Sequence, residues 1–313
     1  MPAGRISHWR LLETGPPPVP CVILHSRCGT ESLLAKGPVF MQKLIFVLVD
    51  ALGLDTATKH FGFLEHMTEA GQAAKYRLIG QLPAISRPMY ETLLTGVAVF
   101  RHGVTSNNTC RRSRFPNLFS ITKQAGLVNA CAGYDWLLEL YGDRPLPFDL
   151  FRDRYCLEGS GDIMHGIFYS EDEYPDSHLF ADGEFLRQAY RPDFLMIHPM
   201  GVDDMGHKHG AGSREYAREA ARCCDLMAMK YEQWREDGYQ LVVVGDHGMD
   251  LLGLHEGNEP IQRETALYIL SPQVTCGDFS REEPLTTLDV APLLCSLLGL
   301  PLSEHMRAGT RIT

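Results

Sequence analysis

Three carboxylates in this chain each follow an apolar run: Asp50 after Leu44–Val49, Asp203 after Phe194–His198, and Asp246 after Leu241–Gly245. An aspartate after a strand often does no more than cap the next helix. Three of them, each beside a histidine or a tight turn, point to one shared site, because the carboxyl ends of strands in an open parallel sheet face a common crevice. The histidines narrow the chemistry. In Asp203-Asp204-Met205-Gly206-His207 a carboxylate and an imidazole stand four residues apart, Asp246-His247 sets them side by side, and His255 follows eight residues later. Imidazole nitrogen with carboxylate oxygen and no thiolate is a ligand set suited to zinc or manganese. A lone histidine is more often a surface or satisfied core residue, and His8, His25, His60, His66 and His305 are read that way.

A nucleophile candidate lies in Ser86-Arg87-Pro88, which reads as a helix N-terminus, with Gly96 as the stop. Serine at such a place is commonly just a cap. It becomes more if a phosphate docks there, since a helix start offers N–H groups and a positive dipole end. A bound divalent cation can then hold the hydroxyl as an alkoxide at neutral pH.

The elements that must position these residues alternate between strand and helix. Leu44–Val49, Phe194–His198, Leu241–Gly245 and Ala266–Leu270 read as buried strands, with Tyr76–Leu82 a weaker one. The clearest helix runs from Ser213 to about Glu236, with Tyr216, Ala220, Cys223, Met227, Tyr231 and Trp234 on one face. This pattern predicts a mostly parallel sheet with helices on both faces. The stretch from Cys110 to Pro192 is less regular and is expected to contribute a small cap or substrate loops; Tyr134, Asp135, His165, Tyr169, Asp176 and His178 in it are candidates to face a substrate. Residues 1–40 hold six of the nineteen prolines and read as a poorly ordered extension, leaving 41–313 as the catalytic domain.

Composition excludes several function classes. A net charge of −10 argues against a nucleic acid polymer as partner. No apolar run approaches the ~18 residues of a membrane span, so no membrane partner is expected. Nine scattered cysteines without a CxxC pair read as reduced thiols, hence a cytoplasmic protein.

In this order the pieces resemble the alkaline phosphatase superfamily, most of all its nucleotide pyrophosphatase/phosphodiesterase branch. The resemblance runs from Val47-Leu48-Val49-Asp50 through Ser86-Arg87-Pro88, Thr92-Leu93-Leu94-Thr95-Gly96 and Arg101-His102-Gly103-Val104. It continues with Gly201–His207, Asp246-His247-Gly248-Met249 and His255, and closes with Thr287-Leu288-Asp289-Val290-Ala291-Pro292. It implies an alkaline-phosphatase-like three-layer α/β sandwich and a two-metal hydrolase of small phosphate esters. One metal would take Asp203, His207 and His255. The other would take Asp50, Asp246, His247 and the oxygen of Ser86, the nucleophile that becomes phosphoseryl.

The chain departs from that pattern in three places. Diesterases of the branch commonly have threonine as nucleophile and asparagine three residues later, where this chain has Ser86 and Met89; Arg87 or a backbone N–H is then expected to bind the phosphate. His255-Glu256-Gly257 replaces a His-Gly-Gly. Tyr90 stands where a formylglycine sulfatase has arginine, which disfavours a sulfatase. Two divalent cations, zinc or manganese, and a single nearby arginine suit a singly charged phosphodiester or pyrophosphate bond better than a monoester dianion. A phosphomonoesterase or phosphomutase is the alternative, and an inactive metal-stabilised binding protein the non-catalytic one.

Overall fold

The computed structural model describes residues 43–307; the extension expected over 1–40 lies outside the described residues. Ten strands are present among the described residues: β1 (Lys43–Val49), β2 (Ala74–Ile79), β3 (Asn129–Tyr134), β4 (Tyr155–Cys156), β5 (His165–Tyr169), β6 (Phe194–Ile197), β7 (Tyr239–Gly245), β8 (Glu264–Leu270), β9 (Gly277–Asp278) and β10 (Leu285–Thr286). They form one sheet in the order β10-β2-β8-β7-β1-β6-β3-β5-β4, with β9 also paired to β2. The central strands β7, β1, β6, β3 and β5 are parallel, while β8 and β4 run against them.

The centre of the sheet is apolar on both faces, which is why β1 reads as an unbroken hydrophobic run rather than an alternation. Leu44, Phe46 and Leu48 pack on one side with residues of the helices Ser86–Thr95, Leu118–Gln124 and Val290–Leu297. Ile45, Val47 and Val49 pack on the other with the helices Gly62–Glu69, Asp176–Tyr190 and Arg214–Glu236. The result is the three-layer sandwich that the sequence predicts. Ser213 caps the long helix through its hydroxyl, 3.1 Å from the Tyr216 N–H, and the predicted face, Cys223 included, is the buried one. Each large side chain buried there contributes roughly 1.5–3 kcal/mol.

Between Cys110 and Pro192 the structure is more regular than the sequence suggests. This stretch supplies β3, β4 and β5 and the helix Asp176–Tyr190, so much of it is sheet and cover. The sequence of β3, Asn-Ala-Cys-Ala-Gly-Tyr, lacks the branched apolar residues that signal a strand, yet every residue of it is buried. Small side chains suit it, because the helix Asp176–Tyr190 lies against it. The seven described cysteines are free thiols, and no described helix is long and apolar enough to cross a membrane.

Candidate active site

Strand register brings the first carboxylates together. Val49 of β1 lies opposite Gly245 of β7, so Asp50 and Asp246 leave the sheet on neighbouring strands. The Ala51 and His247 N–H groups both donate to Asp246 Oδ1, at 3.0 and 2.9 Å. A Cβ on Gly245 would stand 2.3 Å from the Leu52 carbonyl oxygen, so this crossing requires glycine. His247 Nε2 lies 3.2 Å from Asp50 Oδ1 and 3.4 Å from Asp246 Oδ2, and all three side chains are fully buried.

Ser86 opens the helix Ser86–Thr95, which ends at Gly96 in the left-handed region as the sequence predicts. Its Oγ is 3.1 Å from His247 Nε2 and 3.4 Å from Asp50 Oδ1. The second group stands on the helix Gly201–His209 and the loop beyond β7. His207 Nε2 is 3.3 Å from Asp203 Oδ2, one helical turn away. His255 Nε2 is 3.2 Å from His207 Nε2 and 3.8 Å from Asp203 Oδ1. The two groups adjoin, because the His247 and His255 rings stack with centroids 4.0 Å apart.

Each imidazole has its Nδ1 against a backbone carbonyl: His207 on Gly253 at 2.9 Å, His247 on Gly248 at 3.0 Å, His255 on Ala84 at 3.2 Å. An N–H donated there leaves the Nε2 lone pair facing the cluster, the arrangement by which an outer partner orients a metal ligand. His207 and His255 then point lone pairs at each other. Asp203 Oδ1 and Asp246 Oδ2 are buried with no hydrogen-bond partner. Acceptors converging without donors fit a cation in each group, and the ligand atoms within each group lie within 4.8 Å of one another.

The crowding of carboxylates and imidazoles shifts their titration. Burial and the charge of Asp50 push the Asp246 carboxyl up to about 8 and raise that of Asp203. Burial works to raise Asp50 too, but contacts with His198 and His247 hold it well below the usual carboxylate range. The bond to Asp203 lifts His207 to about 9. Against its burial, Asp246 and Asp50 lift His247 to about 10. Burial and the neighbouring His247 push His255 down to about 3.

All seven predicted site residues apart from Arg87 therefore stand together: Asp50, Ser86, Asp203, His207, Asp246, His247 and His255. Arg87 is placed elsewhere than expected. Its guanidinium is buried, bonded to Glu139 at 2.7 Å and to the Thr109 carbonyl at 3.0 Å, and it lies over the Trp136 ring. That commits it to the protein rather than to a phosphate. Met89 is fully buried in the core, so no donor toward the site is lost at that position. The helix end itself offers less than expected: Pro88 has no N–H, Met89 donates to Ile85 at 3.1 Å, and Arg87 donates to Asn107 Oδ1 at 3.0 Å.

Sequence reading missed three neighbours. Asn107 Oδ1 is anchored next to Ser86 by that Arg87 N–H, which leaves its amide donors available. Tyr90, one turn after Ser86, donates to Asp50 Oδ2. His198 Nε2 stands 3.3 Å from the same oxygen. A histidine closing the strand run next to β1 was the available signal for His198; Asn107 gave none. Among the other candidates, the Tyr169 hydroxyl supports the His198 carbonyl at 2.6 Å, and Asp176 accepts the Gly201 N–H at 3.2 Å at the start of the helix carrying Asp203.

Residues 44–159 and 162–282 match the Type I phosphodiesterase / nucleotide pyrophosphatase family. The chain belongs to that family. Among solved structures, murine ectonucleotide pyrophosphatase / phosphodiesterase 5, determined as an inactive form in complex with AMP, has a TM-score of 0.63 at 12% identity, covering 84% of this chain and 96% of that one. Phosphonate monoester hydrolase from Silicibacter pomeroyi has a TM-score of 0.55 at 16% identity, covering 83% and 74%. These share the fold. Among curated proteins, GPI ethanolamine phosphate transferase 2 of Saccharomyces cerevisiae is 22% identical over 83% of this chain and 34% of its own length. The catalytic subunit of GPI ethanolamine phosphate transferase 3 of Mus musculus is 32% identical over 49% of this chain and 14% of its own. The chain thus spans about a third of the length of the yeast relative. Relatives named for chemistry on a GPI lipid overturn the cytoplasmic assignment and leave the expected absence of a membrane partner without support. Thiol content was the wrong guide, since unpaired cysteines record local packing as readily as compartment.

Proposed function

We propose that this protein is a metal-dependent enzyme that cleaves a phosphodiester or pyrophosphate bond in a small molecule, with Ser86 as the nucleophile. Asp203, His207 and His255 would hold one divalent cation. Asp50, Asp246, His247 and the Ser86 oxygen would hold the other, with zinc or manganese suited to both by the donor set. Such cations, when bound, supply Lewis-acid charge to a serine alkoxide and to the oxygens of the transferring phosphoryl group. The observation carrying this reading is the position of Ser86 Oγ, within 3.4 Å of both His247 and Asp50 at a buried helix start.

The Ser86 hydroxyl donates to Asp50 Oδ1 at 3.4 Å, so its proton is directed at that carboxylate and a lone pair stays open to phosphorus. Asn107 would offer its amide N–H groups to a non-bridging phosphate oxygen, the role expected of Arg87 in the sequence. Attack by Ser86 Oγ forms the new P–O bond as the bond to the leaving alcohol breaks; that oxygen departs with the electron pair and takes up a proton. The remaining ester is carried on Ser86. Water then releases it as the hydrolysed product, or an acceptor alcohol takes it in transfer. Transfer is the second reading, favoured by the ethanolamine phosphate transferase names of the relatives.

The test uses bis(p-nitrophenyl) phosphate against p-nitrophenyl phosphate on zinc- or manganese-loaded protein. The diester should have the higher kcat/KM, Ser86→Ala should lose turnover while retaining its metal, and Asn107→Ala should lose about 10²–10³-fold in kcat, as removal of a transition-state donor does. A monoester preference sustained across metals moves the protein to the phosphatase or mutase reading. Addition of an alcohol acceptor separates transfer from hydrolysis by the ratio of nitrophenol to free phosphate ester.

A further inference from the structure

Asp50 is gripped on two sides. Its Oδ1 faces Ser86 and His247. Its Oδ2 faces away from them, receiving the Tyr90 hydroxyl and standing 3.3 Å from His198 Nε2. The segments leaving both strands that flank β1 therefore present an imidazole to this one carboxylate: His247 two residues after β7 and His198 the residue after β6. His198 is fully buried, and its Nε2 has no hydrogen-bond partner of good geometry, so Asp50 is the group it addresses. The surroundings hold the ring in place. The His198 N–H donates to the Ala132 carbonyl at 2.9 Å, Tyr169 donates to the His198 carbonyl at 2.6 Å, and the Tyr90 ring meets the imidazole edge-on at 4.7 Å.

We infer that His198, together with Tyr90, is a positioning residue that occupies Asp50 Oδ2 and so presents Asp50 Oδ1 alone to the cation and Ser86. This rests on the two-cation reading above. A carboxylate can bind a cation through one oxygen or both, and can rotate between them. The Tyr90 hydroxyl donated to the outer oxygen, with the His198 ring held 3.3 Å from it, removes that choice. No equivalent grips Asp203, whose Oδ1 is without a partner, so the device serves one group only. His198 touches neither Ser86 nor the second group; it acts through Asp50.

The experiment is zinc binding by competition with a chromophoric chelator, on the full chain, for wild type, His198→Phe, His198→Gln and Tyr90→Phe. The wild type should bind two ions. His198→Phe keeps a ring of similar bulk without the N–H and should weaken one ion by about 10–100-fold, the range found for outer partners of metal ligands, while leaving the other unchanged. His198→Gln, which returns an N–H at a similar reach, should recover most of that loss. A merely structural role would weaken both ions or neither and would gain nothing from glutamine. If His198→Phe does not fold, Tyr90→Phe makes the same test, because it removes only the other donor to Oδ2. Two ions held as in wild type by either variant would overturn the inference while leaving the functional reading intact; a wild type that binds no zinc or manganese would overturn both.

Discussion

The two candidate ligand groups of this site are built in different ways. Asp50, Asp246 and His247 sit on the ends of adjacent central strands, with no side-chain exposure, and strand register fixes their spacing. Asp203, His207 and His255 sit on a nine-residue helix and a loop, and the His207 side chain is 46% exposed. A group anchored in the sheet can hold the reacting serine in one geometry. The group on the helix and the loop opens to solvent at His207 alone, since Asp203 and His255 are 9% and 6% exposed.

The largest expected contrast is between His247→Ala and His207→Ala. Loss of His247 removes the imidazole that stands between two buried carboxylates, which should cost about 3–5 kcal/mol in the metal-free protein and abolish turnover. Loss of His207 should weaken one ion and lower activity with little change in Tm. His209→Ala, two residues further and outside both groups, should do neither. Calorimetry with metal analysis on the three variants checks this; equal destabilisation by the two ligand variants would erase the distinction.

A smaller effect concerns the helix that carries the exposed group. Asp176 accepts the Gly201 N–H at its start, with Glu219 and Arg222 as its charged neighbours; burial and Glu219 push its carboxyl up to about 7. A folded-state value above the unfolded one means that the folded chain keeps a proton the unfolded chain has released. That stability is present at acid pH and is lost as pH rises from about 4 through 7. Asp176→Asn preserves an acceptor for Gly201 and does not ionise. Its Tm relative to wild type should therefore climb across that window and level off above it; a flat difference would show Asp176 to be ionised throughout.

Much of this was legible in the sequence, and the reason is chemical. The candidate ligand residues lie in short motifs at strand ends, where a polar residue interrupts a buried run, and the helix from Ser86 announces itself with proline and glycine. What was not legible depends on packing between segments far apart in the chain. Arg87 looks like a phosphate ligand beside Ser86 until Glu139, fifty-two residues on, claims it. Asn107 and His198 acquire their roles only through contacts across 20 and 148 positions, to Arg87 and Asp50. The strand β3 is hidden by its small residues, which its covering helix makes appropriate.

The smallest effect lies in the loop of the exposed group. Glu256 follows His255 with φ of 90°, a backbone conformation that favours glycine. A side chain in that region costs roughly 1–2 kcal/mol, so Glu256→Gly should raise stability by about 1 kcal/mol, less the added entropy of the unfolded chain. Denaturant unfolding measures it. A destabilised glycine variant would mean that the loop depends on the glutamate side chain.

The central claim is that Ser86 carries the phosphoryl group. It is tested most directly by acid-quenching zinc-loaded protein during turnover of bis(p-nitrophenyl) phosphate and measuring the intact mass, followed by peptide mapping. A covalent p-nitrophenyl phosphate ester, one per chain, on the peptide containing Ser86 and absent from Ser86→Ala is the predicted result. Full turnover by Ser86→Ala, or the same adduct on another residue, would contradict it.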